Sequence, residues 1–220
     1  MRRIPRSILV IIGITLVACS SGSDRETSTT SIASGAPTTY PPLPTTTTAS
    51  VPTVLIVGDF LTRDTEGLGL ADAIIDIGWF PLIETAEDRS VAEGADVIEN
   101  FRDLGTLPRL TLVSLGAHDA CLGAPIEETQ SNIARIAAIA DEQHIVVWVN
   151  LQMKDCIARA RAINATLDFA AATTNNFFVA DWATDAPIQR LEGDGIHYDR
   201  AGSEFRIDYY VSLLRMYGSR

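Results

Sequence analysis

VLIVGDF, residues 54–60, is a run of four apolar side chains followed by a glycine, a carboxylate and a phenyl ring. Apolarity this continuous over so few residues is the pattern of a strand covered on both faces, as in a parallel sheet flanked by helices. A strand ending in Gly-Asp presents its next side chain at the carboxyl edge of the sheet, where open α/β folds hold their ligands. Here that side chain is Phe60, which neither attacks a carbonyl nor carries a proton.

Four more apolar runs, at 79–83, 110–115, 145–151 and 177–180, read as strands in the same sheet. Helical spacing fills the intervals. Leu68, Ala71, Ile74 and Ile75 share one face before Gly78, and Val91, Ala95, Ile98 and Phe101 share another before Gly105. Ile133, Ile136, Ala137 and Ala140 mark a third helix, with two more at 157–172 and about 200–217. Short connections imply right-handed crossovers, so the expected class is a three-layer α/β sandwich around a five-stranded, mainly parallel sheet. No glycine nest follows Gly58 to cradle a pyrophosphate, so no nucleotide cofactor is expected, and no other cofactor is implied.

The amino-terminal part has a different character. Arg2, Arg3 and Arg6 precede an apolar stretch at 7–18 that closes on Leu16-Val17-Ala18-Cys19. Residues 1–18 are similar to a bacterial lipoprotein signal, which implies lipidation of Cys19, a membrane anchor and an extracytoplasmic domain. Of the 31 residues at 20–50, 16 are Ser or Thr and 4 are Pro, a composition that repays little of the entropy of ordering and reads as a tether. Residues 51–220 then form one domain.

Removing three signal arginines leaves 14 Lys+Arg against 28 Asp+Glu, so the formal charge moves from -11 to -14. That balance excludes a nucleic-acid partner and electrostatic adhesion to anionic lipid, and leaves neutral ligands such as carbohydrates or acyl esters. Cys121 and Cys156 each follow a strand-like run and fall at the same sheet edge in an oxidising compartment. A disulfide between them is expected, two separate packed thiols being the other arrangement.

Residues just past the strand ends share one crevice. They are Asp59 and Phe60, His118 and Asp119, Met153 to Asp155, and Asp181 and Trp182, with the loop bearing Asp194 and His197 closing over them. Three residues apart, Asp194 accepts from one ring nitrogen of His197 and leaves the other as a base. A histidine capping a nearby carbonyl is the plainer reading of that pair alone. A metal would draw on Asp59, Asp88, His118 and His197, but no short ligand spacing supports one, so no metal is expected. Asn164-Ala165-Thr166 matches the glycosylation acceptor pattern but lies in a helical stretch, and no role is assigned to it.

Across residues 53–215 the order of these blocks resembles the SGNH (GDSL-like) hydrolases, above all acetylesterase-like domains of exported bacterial proteins. The resembling blocks are Gly58-Asp59-Phe60, Asp88-Arg89, Gly116-Ala117-His118-Asp119, and Asp194 with His197. The resemblance implies the flavodoxin-like strand order 2-1-3-4-5. It also implies a serine nucleophile where Phe60 stands, a glycine oxyanion donor where Asp88 stands, and an asparagine donor where His118 stands. Asp194 and His197 match the orienting acid and the base. The expectation is a domain without serine-esterase chemistry, serving as a binding or cell-envelope module, with Asp59, Asp119 and Trp182 lining the crevice. The alternative is an active esterase that removes acetyl or short acyl groups from envelope carbohydrate. Thr62 or a water is then the attacking group. Phe60 itself is read as a plug of the old pocket or as a stacking platform together with Trp182 or Trp79.

Overall fold

The computed structural model describes residues 50–123 and 125–218. The signal at 1–18, Cys19 and nearly all of the tether lie outside the described residues, and among those described no helix is long and apolar enough to cross a membrane.

Five strands, β1 (Thr53–Gly58), β2 (Phe80–Thr85), β3 (Leu110–Ser114), β4 (Ile145–Val149) and β5 (Phe177–Ala180), pair in parallel in the order β2-β1-β3-β4-β5. Between and after them run α1 (Phe60–Glu66), α2 (Leu70–Asp76), α3 (Val91–Asp103), α4 (Ala117–Cys121), α5 (Ile126–Ala137), α6 (Ile157–Thr173), α7 (Trp182–Asp185) and α8 (Arg200–Tyr217). The helices pack among themselves as two groups, α1 and α2 with α8, and α5 with α3 and α6. Strand positions 54–57 and 145–149 are buried throughout, as the unbroken apolar runs require of a sheet covered on both faces. Each such Val, Leu or Ile contributes about 1.5–3 kcal/mol by leaving water.

The expected strands are present with shifted ends. The helical face drawn through Leu68 starts one turn later, because Gly69 adopts a left-handed conformation (φ +97°) and caps α2 behind a turn. β2 starts at Phe80 and runs to Thr85, and Trp79 packs its ring against Gly218 instead of entering the strand. β4 stops at Val149, two residues early, because side-chain amides take over from the ladder. Asn150 Oδ1 accepts from the Ala183 N–H at 2.6 Å. Asn164 accepts from the Leu151 N–H and donates to the Leu151 carbonyl, each at 2.9 Å. The acceptor-like Asn164 is thereby committed to holding α6 against the end of β4.

Two features fix the carboxyl edge. Gly58 is required where β1 ends, because a Cβ there would lie 2.4 Å from Thr62 Cβ as α1 turns back over the strand. Cys121, ending α4, is joined to Cys156, just before α6, across a Cα–Cα distance of 5.2 Å. The pairing is the one expected from their shared edge.

Candidate functional site

The loop carrying the acid and base is held by its own carboxylate. Asp194 Oδ1 accepts from the N–H groups of Ile196 (2.9 Å) and His197 (3.0 Å), and Oδ2 bonds His197 Nδ1 at 2.7 Å. Partial burial pushes the Asp194 carboxyl up, but these three bonds outweigh it and hold the group below the usual range. Gly195, at φ +71°, turns its carbonyl to accept from Lys154 N–H at 2.8 Å, which ties the loop to the segment after β4. A side chain at that position would press within 2.9 Å of Lys154 Cβ. The imidazole is therefore oriented from both ends of its loop.

Phe60, the first residue of α1, lies against that imidazole with ring centroids 4.7 Å apart and planes tilted by 41°. Together with Asp88, His118, Leu122, Ile196 and the disulfide's Cys121, the two rings line a crevice of about 210 Å³. Phe60 is half-buried, so it forms one wall and does not fill the space. His118 Nδ1 faces Asp88 Oδ1 at 3.9 Å, and the Asp88 side chain is 80% exposed. Five residues expected at the site, Phe60, Asp88, His118, Asp194 and His197, are thus brought together.

Three others are not. Asp59 is 1% exposed. It caps α1 by accepting from Leu61 N–H at 3.1 Å, and its second oxygen accepts from Ala117 N–H at 3.2 Å. Burial pushes its carboxyl up to about 6, against the opposing Arg206 charge and the two backbone bonds. Asp119 is 3% exposed and ties α3 to α4 and α5 by accepting from Val91 N–H (2.9 Å) and Thr129 Oγ1 (3.4 Å). Burial raises its carboxyl too, with the Val91 N–H opposing. Trp182 is fully buried, donating to Tyr198 Oη at 3.0 Å and packing against a tilted Phe205 ring and, edge to face, Tyr209. All three lie beneath the edge as structural anchors and do not line the crevice. A carboxylate just before a helix was the signal that Asp59 is a cap.

A buried polar cluster centred on Arg206 goes beyond what the sequence predicts. Arg206 is 2% exposed, donates from Nε to Tyr210 Oη (2.8 Å) and from Nη2 to Ser114 Oγ (2.6 Å), and lies 4.7 Å over the Trp182 ring. Tyr210 Oη also bonds Thr62 Oγ1 at 2.9 Å, and Thr62 is fully buried. Thr62 therefore serves to lock α1 onto α8, and its hydroxyl does not face the crevice as an attacking group would. The four-residue step from Arg206 to Tyr210 on one helix face is the only trace of this cluster in the sequence.

With this geometry established, solved structures supply the comparison. A member of the lipolytic protein G-D-S-L family from Veillonella parvula aligns at TM-score 0.59 and 19% identity, covering 73% of this chain and 96% of that one. The lipase/acylhydrolase from Enterococcus faecalis aligns at TM-score 0.60 and 17% identity, covering 74% and 95%. The fold is that of the SGNH hydrolases. The catalytic domain of the Streptococcus pneumoniae peptidoglycan O-acetyltransferase A shares it as well, at TM-score 0.61 and 15% identity over 77% of this chain and 96% of that domain. No protein-family model and no curated protein matches the sequence. The SGNH architecture accounts for the strand order and for the shared edge at which Phe60, His118 and His197 meet.

Proposed function

We propose that the protein is an exported, lipid-anchored module in which residues 51–220 use an SGNH fold to bind a carbohydrate or acyl-ester ligand without serine-esterase chemistry. The observation that carries this reading is the Phe60 ring stacked 4.7 Å from the His197 ring. By the SGNH resemblance the Phe60 ring stands where the serine nucleophile would be, and covalent acyl transfer has no substitute for that hydroxyl. Thr62, the nearest alternative, is buried and bonded to Tyr210. The Cys19 motif and the Ser/Thr-rich tether support export and anchoring. The envelope setting agrees with the peptidoglycan substrate named for the pneumococcal neighbour.

One observation favours a second reading. The Asp194–His197 pair is intact at 2.7 Å, which suits a base acting directly on water in an acyl esterase. Hydrolysis of p-nitrophenyl acetate separates the two. Under the binding reading, purified protein stays at the buffer rate, and His197→Ala changes nothing. Turnover well above buffer that is lost in a folded His197→Ala variant would overturn it. The anchor has its own test, since Cys19→Ser should move the protein from the membrane to the soluble fraction.

A further inference from the structure

Asp59 ties together two walls of the crevice that are far apart in the chain. Its carboxylate takes one bond from α1, at Leu61 N–H, and one from α4, at Ala117 N–H, 58 residues away. Phe60 and His118, the neighbours of those donors, line the crevice, as does Ala117 itself. The main chain adds a third tie, Asp59 N–H donating to the Ser114 carbonyl at 3.2 Å where β3 ends. The spacing of the Phe60 and His118 walls therefore passes through one buried carboxyl group.

That group lies in the field of a charge that is only partly engaged. Arg206 commits Nε to Tyr210 and Nη2 to Ser114, both neutral hydroxyls. Among the described residues its Nη1 is buried and has no hydrogen-bond partner. Buried cations are ordinarily paired, so the guanidinium has unmet demand for a negative neighbour. The charged groups that act on Asp59 are Arg206, from α8, which favours the ionised carboxylate, and Asp119, from α4, which opposes it. β3 brings the uncharged Ser114, and α1 brings the Leu61 N–H.

We propose that Asp59 is a proton-operated clasp: ionised beside Arg206 it holds α1 and α4 together, and on taking up a proton from solvent it releases α4 and loosens the crevice. The two states differ in hydrogen bonding. An ionised carboxylate only accepts, so it serves both N–H groups, and each such bond is roughly twice as strong as a neutral one. Once protonated, one oxygen carries a donor of its own and holds a facing N–H weakly. The Leu61 bond spans two residues and stays within reach, so the long-range Ala117 bond is the one that gives. Burial pushes the Asp59 carboxyl up to about 6, so the clasp is closed above that pH and open below it. The effect is local: the ionised form grips its two donors more tightly even though burial makes ionisation costly.

NMR on the purified full-length chain tests it, titrating from about pH 4 to about 8, either side of the Asp59 midpoint. The Leu61 and Ala117 amide signals should move with a midpoint of about 6, the Ala117 signal further, and the Phe60 ring and Leu122 methyl signals in the crevice should follow. Asp59→Asn keeps the shape and cannot ionise. In that variant the midpoint should vanish from all four residues, and whatever still titrates belongs to Asp119, His118 or His197. Arg206→Gln should raise the midpoint by about one pH unit or more, because the favouring charge is gone. Asp59→Asn carries the test by itself should thermal unfolding show that Arg206→Gln does not fold. Flat amide signals, an unchanged titration in Asp59→Asn, or titrating amides beside stationary Phe60 and Leu122 signals would each overturn the proposal. No ligand or ester enters these measurements, so they stand apart from the test of catalysis.

Discussion

Replacing Phe60 with serine puts a hydroxyl at the start of α1, beside an imidazole already oriented by Asp194 at 2.7 Å. The phenyl ring is only half-buried, so folding loses about 2 kcal/mol at most, less than full truncation of a core phenylalanine. Chemistry then depends on what stabilises the oxyanion. The backbone N–H groups of Phe60 and Asp88 make no hydrogen bond among the described residues and remain as donors. Ala117 N–H is already taken by Asp59. His118 directs Nδ1 toward the Asp88 carboxylate at 3.9 Å, so its donor is drawn to a negative charge. A missing donor costs roughly 2.7–4 kcal/mol, a factor of about 100 to 1000 in rate. Asp88 contributes less, because its side chain is 80% exposed and a screened charge of that kind is worth about 1 kcal/mol. Phe60→Ser alone should therefore hydrolyse p-nitrophenyl acetate slowly and through His197. Adding His118→Asn should raise the rate by about 100-fold, and adding Asp88→Gly only by about fivefold. The triple variant should be fastest. Equal rates for single and triple variants, on folded protein with the same substrate, would show that His118 and Asp88 do not stand at the oxyanion position.

Two further perturbations probe the framework under the site. Converting Cys121 and Cys156 to serine opens a loop of 35-residue separation, which chain entropy values at about 3–4 kcal/mol; denaturant unfolding should show a loss of that order, and an unchanged midpoint would show that the bridge adds nothing. Asp59, with its carboxyl raised from 3.8 to about 6, is harder to ionise in the folded chain than in the unfolded one. Stability contributed by its protonated form is complete below 3.8 and is lost as pH rises through about 6, for a total of about 3 kcal/mol. Unfolding curves across that window should show wild type losing about this much relative to Asp59→Asn, and a constant difference between the two proteins would refute the raised value.

The sheet was legible because its evidence is local. Each strand is an unbroken apolar run, each crossover is short, and the SGNH-like blocks fix the order 2-1-3-4-5, which the structure reproduces. The disulfide was legible for a similar reason, since two cysteines that each follow a strand fall at one edge, where they either pair or pack as separate thiols, and the structure shows the pair. The site was legible only in part. Sequence places Asp59, Phe60, Asp119 and Trp182 at the carboxyl edge but does not say which of them the helices will cover. Asp59 is the first residue after β1, so its side chain competes between solvent and the open N–H groups of α1. The cap wins, because a buried carboxylate with two backbone donors is satisfied there. Asp119 meets the start of α3 in the same way, through a contact 28 residues distant that no local pattern encodes. Phe60 faces the opposite balance, having no polar atom to satisfy, and its half-buried ring packs against the imidazole face at a tilt of 41°.

Arg206 shows why the remainder was hidden. A fully charged side chain is expected at the surface, and nothing within a few residues of it announces burial. Its partners arrive from three other parts of the chain, Ser114 at the end of β3, Thr62 in α1 through Tyr210, and the Trp182 face. The cluster joins β3, α1 and α8, and Asp59 feels its charge. Hydrogen bonds to a charged group contribute about 1.5–3 kcal/mol each, more than a ring contact such as that between Phe60 and His197. The crevice wall at Phe60 is a ring contact, whereas the polar cluster ties α1 to α8 and β3 through Thr62, Tyr210, Arg206 and Ser114.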